Sequence, residues 1–389
     1  RSSSASWSPG NPATACRRPA EPPVTLAELT AAARRVALVG LAKNSGKTVT
    51  LAALLAECSA AGRSVGVTSV GRDGEEHDVL DFRIEKPPVR LDGGSLVATT
   101  DGLLRASGVP HEVLERTAIR TPLGEVLIAR LKTAGTIEVA GPSGAADARR
   151  VADAMLGHGA EQVLIDGAID RRAASSPDVA DGLVMSTGAI LSEDIDEVAR
   201  RTADAVSLVR LPGLDRGDEE GRRVLELASS QDGGVSTMLD TDLHADPLPT
   251  RFVLTAEPPA IAGFLRSGSP PRWLVISGAL PEAFLEGLIP YARRHRAPLK
   301  VLVGDPTRVF LPKRSPAFYE TAGIELIVLK PIELLALTVN PVAPQSHSFD
   351  SARLRGLIAE KVPGVPIFDV MHPSYSGAPP PMGRRGVAA

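Results

Sequence analysis

The run VALVGLAKNSGKTVTLAALLAE, residues 36–57, constrains the fold more than any other part of the chain. Its first half is a short apolar run that ends at Gly40, which is typical of a buried strand. Its second half places apolar residues at helical spacing from about Lys47 onward, and Gly62 follows as a stop signal. The residues between resemble the loop that holds nucleotide phosphates, except that five residues instead of four separate Gly40 from Gly46. The stretch therefore predicts an α/β protein with a phosphate-binding loop. A plain strand–turn–helix is the alternative, but it does not need Gly-Lys-Thr.

The loop offers the groups that a nucleoside triphosphate requires. Backbone N–H groups at a helix N-terminus point toward phosphate oxygens, and the helix dipole adds positive potential. Gly46 allows close approach of the backbone, Lys47 is expected to reach the β- and γ-phosphates, and the Thr48 hydroxyl is expected to bind Mg²⁺. We expect ATP and Mg²⁺ as ligands, because the sequence has no N-K-x-D motif of the kind that reads guanine. The predicted nucleotide-contacting residues are Lys43, Asn44, Ser45, Gly46, Lys47 and Thr48.

A carboxylate at the end of another strand is the second predicted element of the site. Asp166 ends the apolar run VLID, where its side chain can hold Mg²⁺ through water. The alternative role for Asp166 is capping of a strand-to-loop turn. The predicted metal-binding residues from these two elements are Thr48 and Asp166.

The five-residue spacing in GLAKNSGKT resembles the loops of dethiobiotin synthetase-like and molybdopterin-guanine dinucleotide biosynthesis-like proteins. In that branch, an acidic residue after the second strand often faces the γ-phosphate and the metal. The resemblance therefore implies that Asp73, which follows the run SVGVTSV, is a catalytic and metal-binding residue beside Lys47. Arg72 would then lie on phosphate.

Apolar runs alternate with helical patterns over most of the chain, which favours a mostly parallel sheet covered by helices on both faces. The runs at 125–131 and 136–142 lie close together, so part of the sheet is expected to be antiparallel. A charged, turn-rich and proline-rich stretch then precedes a second series of apolar runs. The predicted organisation is a disordered leader at 1–33, a P-loop nucleotide-binding domain at 34–212, a linker at 213–250, a second, smaller α/β domain at 251–373 and a disordered tail at 374–389.

Composition excludes several other classes of protein. The net charge of −3 gives no reason to expect nucleic acid or an anionic membrane as a partner. No apolar run approaches the ~18 residues of a membrane span, and the N-terminal residues lack the apolar core of a signal peptide. The two cysteines, Cys16 and Cys58, cannot make a disulfide framework, and Cys58 falls on the apolar face of the helix after the loop. These features predict a cytoplasmic protein.

The order of the motifs along the chain carries a second, more specific resemblance. From about residue 34 to residue 372, the chain resembles the family identified as the reactivase subunit of lysine 5,6-aminomutase. The matching segments, in order, are VALVGLAKNSGKT, SVGRDGEEHD, RTPLG, EVAGPS, VLIDGAIDRRAASSP, STGAILS and LTVNPVAPQSHSFD.

This second resemblance implies a chaperone-like function. A reactivase would use ATP to open an adenosylcobalamin-dependent aminomutase and release its damaged cofactor, together with a second ATPase subunit of a mismatch-repair-like type. The loops at Val301–Thr307 and Leu337–Pro344 would then belong to a partner-binding domain, or to a domain with only a structural role. The competing function is a dethiobiotin synthetase-like, ATP-dependent small-molecule ligase or kinase, in which Arg171–Pro177 would hold an anionic substrate.

Overall fold

The computed structural model describes residues 24–70, 88–168, 172–230, 236–248, 250–265, 270–295, 297–344 and 347–375. Its α-helices are α1 (Leu26–Leu29), α2 (Lys47–Ala60), α3 (Asp101–Ala106), α4 (Ala145–Gly157), α5 (Ile195–Val209), α6 (Glu219–Ser230), α7 (Thr250–Thr255), α8 (Pro258–Phe264), α9 (Glu282–Ala292), α10 (Pro316–Thr321) and α11 (Ser351–Lys361). Its strands are β1 (Arg35–Gly40), β2 (Val65–Ser69), β3 (Val89–Leu91), β4 (Leu96–Thr100), β5 (His111–Thr121), β6 (Gly124–Leu131), β7 (Gly135–Ile137), β8 (Gln162–Ala168), β9 (Gly182–Gly188), β10 (Ser236–Leu239), β11 (Ala245–Leu248), β12 (Trp273–Ile276), β13 (Leu280–Pro281), β14 (Leu299–Val303), β15 (Val309–Phe310), β16 (Ile324–Val328), β17 (Glu333–Asn340) and β18 (Ile367–Phe368). Within these ranges, no helix combines the length and the apolar character needed to cross a membrane.

The larger sheet has nine strands in the order β18-β17-β9-β1-β8-β2-β4-β6-β5. The strands from β18 to β4 are parallel, whereas β6 runs antiparallel to β4 and β5 antiparallel to β6. The prediction of an α/β protein with a mostly parallel sheet and an antiparallel part is thus confirmed. Strand β1 lies between β8 and β9, and Leu38 pairs with Asp166 on one side and Val184 on the other. The carboxyl ends of these three strands therefore lie at one edge of the sheet.

Side chains of β1 alternate between the two covered faces of this sheet. Val36 and Leu38 pack in one core with apolar residues of α2, while Ala37 and Val39 pack in another with residues of α5 and α11. On α2, Leu51 and Leu54 are fully buried, and each buried leucine stabilises the fold by roughly 1.5–3 kcal/mol. This packing holds α2 against the sheet and so fixes the position of its first turn at the end of β1.

The smaller sheet has five strands in the order β11-β10-β12-β14-β16. Strands β12, β14 and β16 are parallel, and β10 runs antiparallel to both β11 and β12. One face packs against α8 and α9, with Phe284 and Leu288 in the core, and the other packs against α6 through Val224. Two further pairs, β3 with β7 and β13 with β15, form small two-stranded sheets.

The structure differs from the predicted domain boundaries in the middle of the chain. The stretch predicted as a linker, 213–250, contains α6, β10 and β11, and both strands belong to the five-stranded sheet. The polar turns in this stretch connect short elements rather than two domains. The predicted second domain also ends too late, because β17 pairs with β9 and β18 pairs with β17 in the nine-stranded sheet. The second α/β unit is therefore inserted into the first instead of following it.

The predicted leader and tail also contain packed residues near their inner ends. Residues 1–23 and 376–389 lie outside the described ranges, but α1 is packed, with Leu26 fully buried. The carboxylate of Glu57 on α2 accepts a hydrogen bond from Ala27 N at 2.9 Å and another from the Tyr375 hydroxyl. Burial and this carboxylate both raise the pKa of Tyr375. One buried glutamate thus attaches both ends of the described chain to α2.

Candidate functional site

The segment between β1 and α2 has the backbone that a loop over a helix N-terminus needs. Gly46 is the N-cap residue of α2 and adopts φ of 98°, in the left-handed region that favours glycine. Asn44 also has a positive φ, of 67°, which asparagine tolerates better than most residues. The first backbone N–H groups of any helix have no partner within the helix itself. In α2, no side chain caps these groups either. The predicted start of the helix at Lys47 agrees with the observed one.

Lys47 and Asp166 lie together at this edge of the sheet. The Lys47 Nζ atom is 2.7 Å from Asp166 Oδ1 and also donates to the carbonyl of Gly167 at 3.0 Å. The side chains are 21% and 17% exposed, so the pair is largely covered but reachable from solvent. An ammonium group and a carboxylate are thus held in contact at the head of α2. The sequence pattern named both residues but did not predict the ion pair between them.

The other predicted loop residues divide into exposed and buried ones. Lys43, Asn44 and Thr48 are exposed, and Thr48 occupies the first turn of α2. Ser45 is buried, its N–H donates to Ala42 O at 3.2 Å, and its hydroxyl has no hydrogen-bond partner in the described part of the chain. A buried hydroxyl without a partner is uncommon in proteins.

The position of Gly40 explains why a glycine ends β1. A Cβ atom at residue 40 would lie 2.5 Å from the Ser45 hydroxyl oxygen, closer than such atoms approach in proteins. The absence of a side chain there allows the loop to fold back over the end of β1. The first glycine of the pattern thus has a steric role even though its spacing differs from the usual one.

Three buried hydroxyl groups connect α2 to strands β9 and β17 of the larger sheet. The Thr50 hydroxyl lies 2.7 Å from that of Thr338 on β17 and 3.2 Å from that of Ser186 on β9, and the Thr338 hydroxyl donates to Ser186 at 2.9 Å. All three side chains are essentially inaccessible. Because buried hydroxyls are costly unless bonded to each other, this network favours one position of the helix start.

Asn340, at the end of β17, is a neighbour of the loop that the sequence did not reveal. Its side-chain amide donates to the carbonyl of Asn44 at 3.0 Å, and its Cβ lies 3.1 Å from where a side chain on Gly46 would begin. The predicted second α/β domain, 251–373, includes the motif LTVNPVAP and therefore separates Asn340 from the loop. An apolar run followed directly by a polar residue was the available signal, but it does not show which sheet the strand joins.

Asp73, the third predicted element, and Arg72 both lie outside the described residues. Their proposed roles at the γ-phosphate and the metal stay predictions. Strand β2, which precedes them, ends beside Asp166, since Ser69 pairs with Asp166 across the two strands.

Comparison with known proteins adds no relative to this description. No protein-family model matches the chain, and neither a curated protein nor a solved structure matches it. The site is therefore interpreted from its own residues.

Proposed function

We propose that this chain is a P-loop NTPase that binds ATP with Mg²⁺ at the loop Gly40–Thr48 and hydrolyses it. The observation that supports the proposal most is the 2.7 Å ion pair between Lys47 and Asp166 at the head of α2. A lysine on a flexible stem can exchange a carboxylate for the oxygens of a phosphate chain. The Asp166 carboxylate would then lie beside the phosphate chain, where it would help to hold a cation.

The donors around this pair suit a triphosphate and a hard cation. The N–H groups of the first turn of α2 have no side-chain cap, and the helix dipole makes that end positive. The exposed Thr48 hydroxyl and the Asp166 carboxylate are oxygen donors of the kind that Mg²⁺ prefers. The unpartnered Ser45 hydroxyl is a further polar group that a ligand or a water molecule would satisfy.

The residues divide the work of hydrolysis in this proposal. Mg²⁺, held by Thr48 and Asp166, would supply neutralisation of the charge on the phosphate oxygens. Lys47 would bind the β- and γ-phosphate oxygens. Asp166 holds the cation, directly or through a water molecule, and the backbone N–H groups of the loop orient the phosphate chain. Asp73 would face the γ-phosphate and the metal.

Calorimetry on matched lysine variants tests nucleotide binding. Lys47→Ala is expected to weaken binding of Mg²⁺–ATP about 100-fold, or about 2.7 kcal/mol, because the phosphates lose their main cationic contact. Lys132→Ala is the control, since Lys132 is an exposed lysine on a different loop, after β6. An equal affinity in the two variants would show that the loop does not bind the phosphates.

The wider function that we propose is reactivation of an adenosylcobalamin-dependent aminomutase, together with a second ATPase subunit. The support is the order of motifs along the chain. The proposed nucleotide site at the Lys47–Asp166 pair fits this function, because a reactivase would use ATP. Hydrolysis can switch a loop between an ordered and a released form, and such a switch can drive opening of a partner enzyme.

Turnover assays separate this function from that of a small-molecule ligase or kinase. ATP hydrolysis that rises when an adenosylcobalamin-dependent aminomutase is added, and not when small carboxylates or amines are added, supports a reactivase. Hydrolysis that depends on a small carboxylate or amine alone would instead support the ligase or kinase.

A further inference from the structure

A cavity lies at the carboxyl edge of the five-stranded sheet, away from the Lys47–Asp166 pair. Its volume is about 210 Å³, and it is lined by the ends of β12, β14 and β16. At ~30 Å³ for each water molecule, this space corresponds to roughly seven waters, which suits a small metabolite and not a nucleotide. The carboxyl edge of parallel strands is also where open α/β sheets bind their ligands.

Arg308 is a guanidinium group held in place at this cavity. Its Nε atom donates to Asp305 Oδ2 at 3.2 Å, and its Nη1 atom donates to the carbonyl of Ser277 at 3.0 Å. Asp305 is almost completely buried, and it also accepts hydrogen bonds from the N–H and the hydroxyl of Thr307. The Nη2 group has no hydrogen-bond partner among the described residues, and the side chain is 42% exposed. Arg308 is thus oriented by a scaffold and retains a charged donor for a ligand.

Gly304 makes this arrangement possible. A Cβ atom at residue 304 would lie 2.9 Å from Nε of Arg308 and 3.1 Å from its Cζ. The guanidinium therefore lies against bare backbone, directly after the end of β14.

Two more polar groups line the same cavity. The Ser277 hydroxyl is buried and has no hydrogen-bond partner within the described ranges. A buried hydroxyl in this state costs free energy unless a ligand or water completes it. Lys330, which follows β16, pairs with Asp178 at 2.6 Å, and both side chains are about half exposed. An exposed pair of this kind contributes little, ~0–1 kcal/mol, so an entering anion can compete with Asp178 for Lys330.

We propose that this cavity binds a small metabolite through an oxyanion, either a phosphate or a carboxylate group. Arg308 and Lys330 supply the positive charge, and Ser277 supplies a hydroxyl donor. Asp178, which comes from the segment between β8 and β9 of the larger sheet, competes with the anion for Lys330. The site stands independently of the nucleotide proposal, because the two share no residue.

Titration of the full chain with inorganic phosphate and, separately, with malonate tests the proposal by NMR. Phosphate is also a ligand expected at the loop Gly40–Thr48, so each titration is repeated with Lys47→Ala. Binding that persists in Lys47→Ala belongs to the cavity, and binding that disappears there belongs to the loop.

Variants at the cavity then give effects of opposite sign. Arg308→Gln is expected to raise the dissociation constant about tenfold, and Lys330→Met by a smaller factor, because each loses a charged contact. Asp178→Asn is expected to lower it, since the competing carboxylate is gone. A variant that only disturbs the fold would not tighten binding. Arg293→Gln, at an exposed position after α9, is the control and should change nothing.

The proposal fails if neither anion binds to the cavity, or if Arg308→Gln and Arg293→Gln bind equally well. It also fails if Asp178→Asn weakens binding as much as Lys330→Met does. Thermal unfolding of each variant identifies those that do not fold, and for them Ser277→Ala serves as the milder change, with a smaller expected loss.

Discussion

The two sheets place an aspartate and a cation at their carboxyl edges in different ways. In the larger sheet, Lys47 and Asp166 are both about one-fifth exposed, and each has the other as its charged partner. In the smaller sheet, Asp305 is only 4% exposed while its partner Arg308 is 42% exposed. In the proposed nucleotide site, a ligand would separate the first pair and use both groups. In the second pair the carboxylate is part of the scaffold, and only the cation is available.

The largest expected effect is a loss of ATP hydrolysis when Asp166, but not Asp305, is changed to asparagine. Asp166→Asn should reduce ATP hydrolysis about 100-fold, because the cation loses its carboxylate while Lys47 can still contact phosphate. The same change should cost only about 1 kcal/mol of unfolding free energy, because Lys47 in the largely covered pair keeps its hydrogen bond to the Gly167 carbonyl. Hydrolysis measured against Mg²⁺ concentration, and unfolding in urea, give the two quantities.

Asp305→Asn is the matched change at the other edge, and it should reverse the pattern. An amide NH₂ would face donors that a carboxylate now satisfies, which should cost about 1.5–3 kcal/mol of stability and leave hydrolysis unchanged. If Asp305→Asn abolished hydrolysis, or if Asp166→Asn unfolded the protein, the distinction between a ligand-binding carboxylate and a structural one would be wrong.

One glycine at the carboxyl edge of each sheet, Gly188 in the larger and Gly304 in the smaller, extends the comparison. Substitution of Gly188 is expected to have the larger effect on stability. A Cβ atom at residue 188 would lie 2.1 Å from the carbonyl oxygen of Asn340, which is backbone of the paired strand β17. Gly188→Ala must therefore push β17 away from β9, at a cost of about 1–3 kcal/mol. It should also break the bond from Asn340 to Asn44 and weaken ATP affinity.

Gly356→Ala is the control for Gly188→Ala. Gly356 lies within α11, and a side chain there would meet nothing within 4 Å. An alanine at this position should stabilise the helix by up to ~1 kcal/mol. Urea unfolding that shows the same change for both variants would contradict the close approach of β17 at residue 188.

The end of β1, the loop and the start of α2 were predictable from sequence, because the residues that indicate them are contiguous. An apolar run, a glycine, Gly-Lys-Thr and a helical pattern follow one another, and they predicted the end of β1 and the start of α2 correctly. The apolar run VLID likewise placed Asp166 near the end of a strand, two residues before β8 ends at Ala168. Each of these inferences needed only residues that are close in the chain.

The pairing of β17 with β9 could not be predicted, because the sequence of a strand does not show which other strand it pairs with. Glu333–Asn340 is an apolar run that fits either sheet, and its pairing with β9 depends on contacts about 150 residues away in sequence. The insertion of the second unit, and therefore the place of Asn340 beside the loop, were missed for that reason. The segment VLVGDPT predicted a loop after a strand, but burial of Asp305 depends on Thr307 and Arg308 folding back onto it.

The smallest expected effect is at Gly304, where the neighbouring atoms belong to a flexible side chain. A Cβ atom there would displace the Arg308 guanidinium from its position over the backbone. Because arginine can move while backbone cannot, Gly304→Ala should cost less than about 1 kcal/mol in unfolding free energy. It should still weaken phosphate or malonate binding by a fewfold factor, since the guanidinium loses its orientation. A large loss of stability with unchanged anion binding would show that Arg308 stabilises the fold and does not bind a ligand. Both members of the Asp305–Arg308 pair would then be structural.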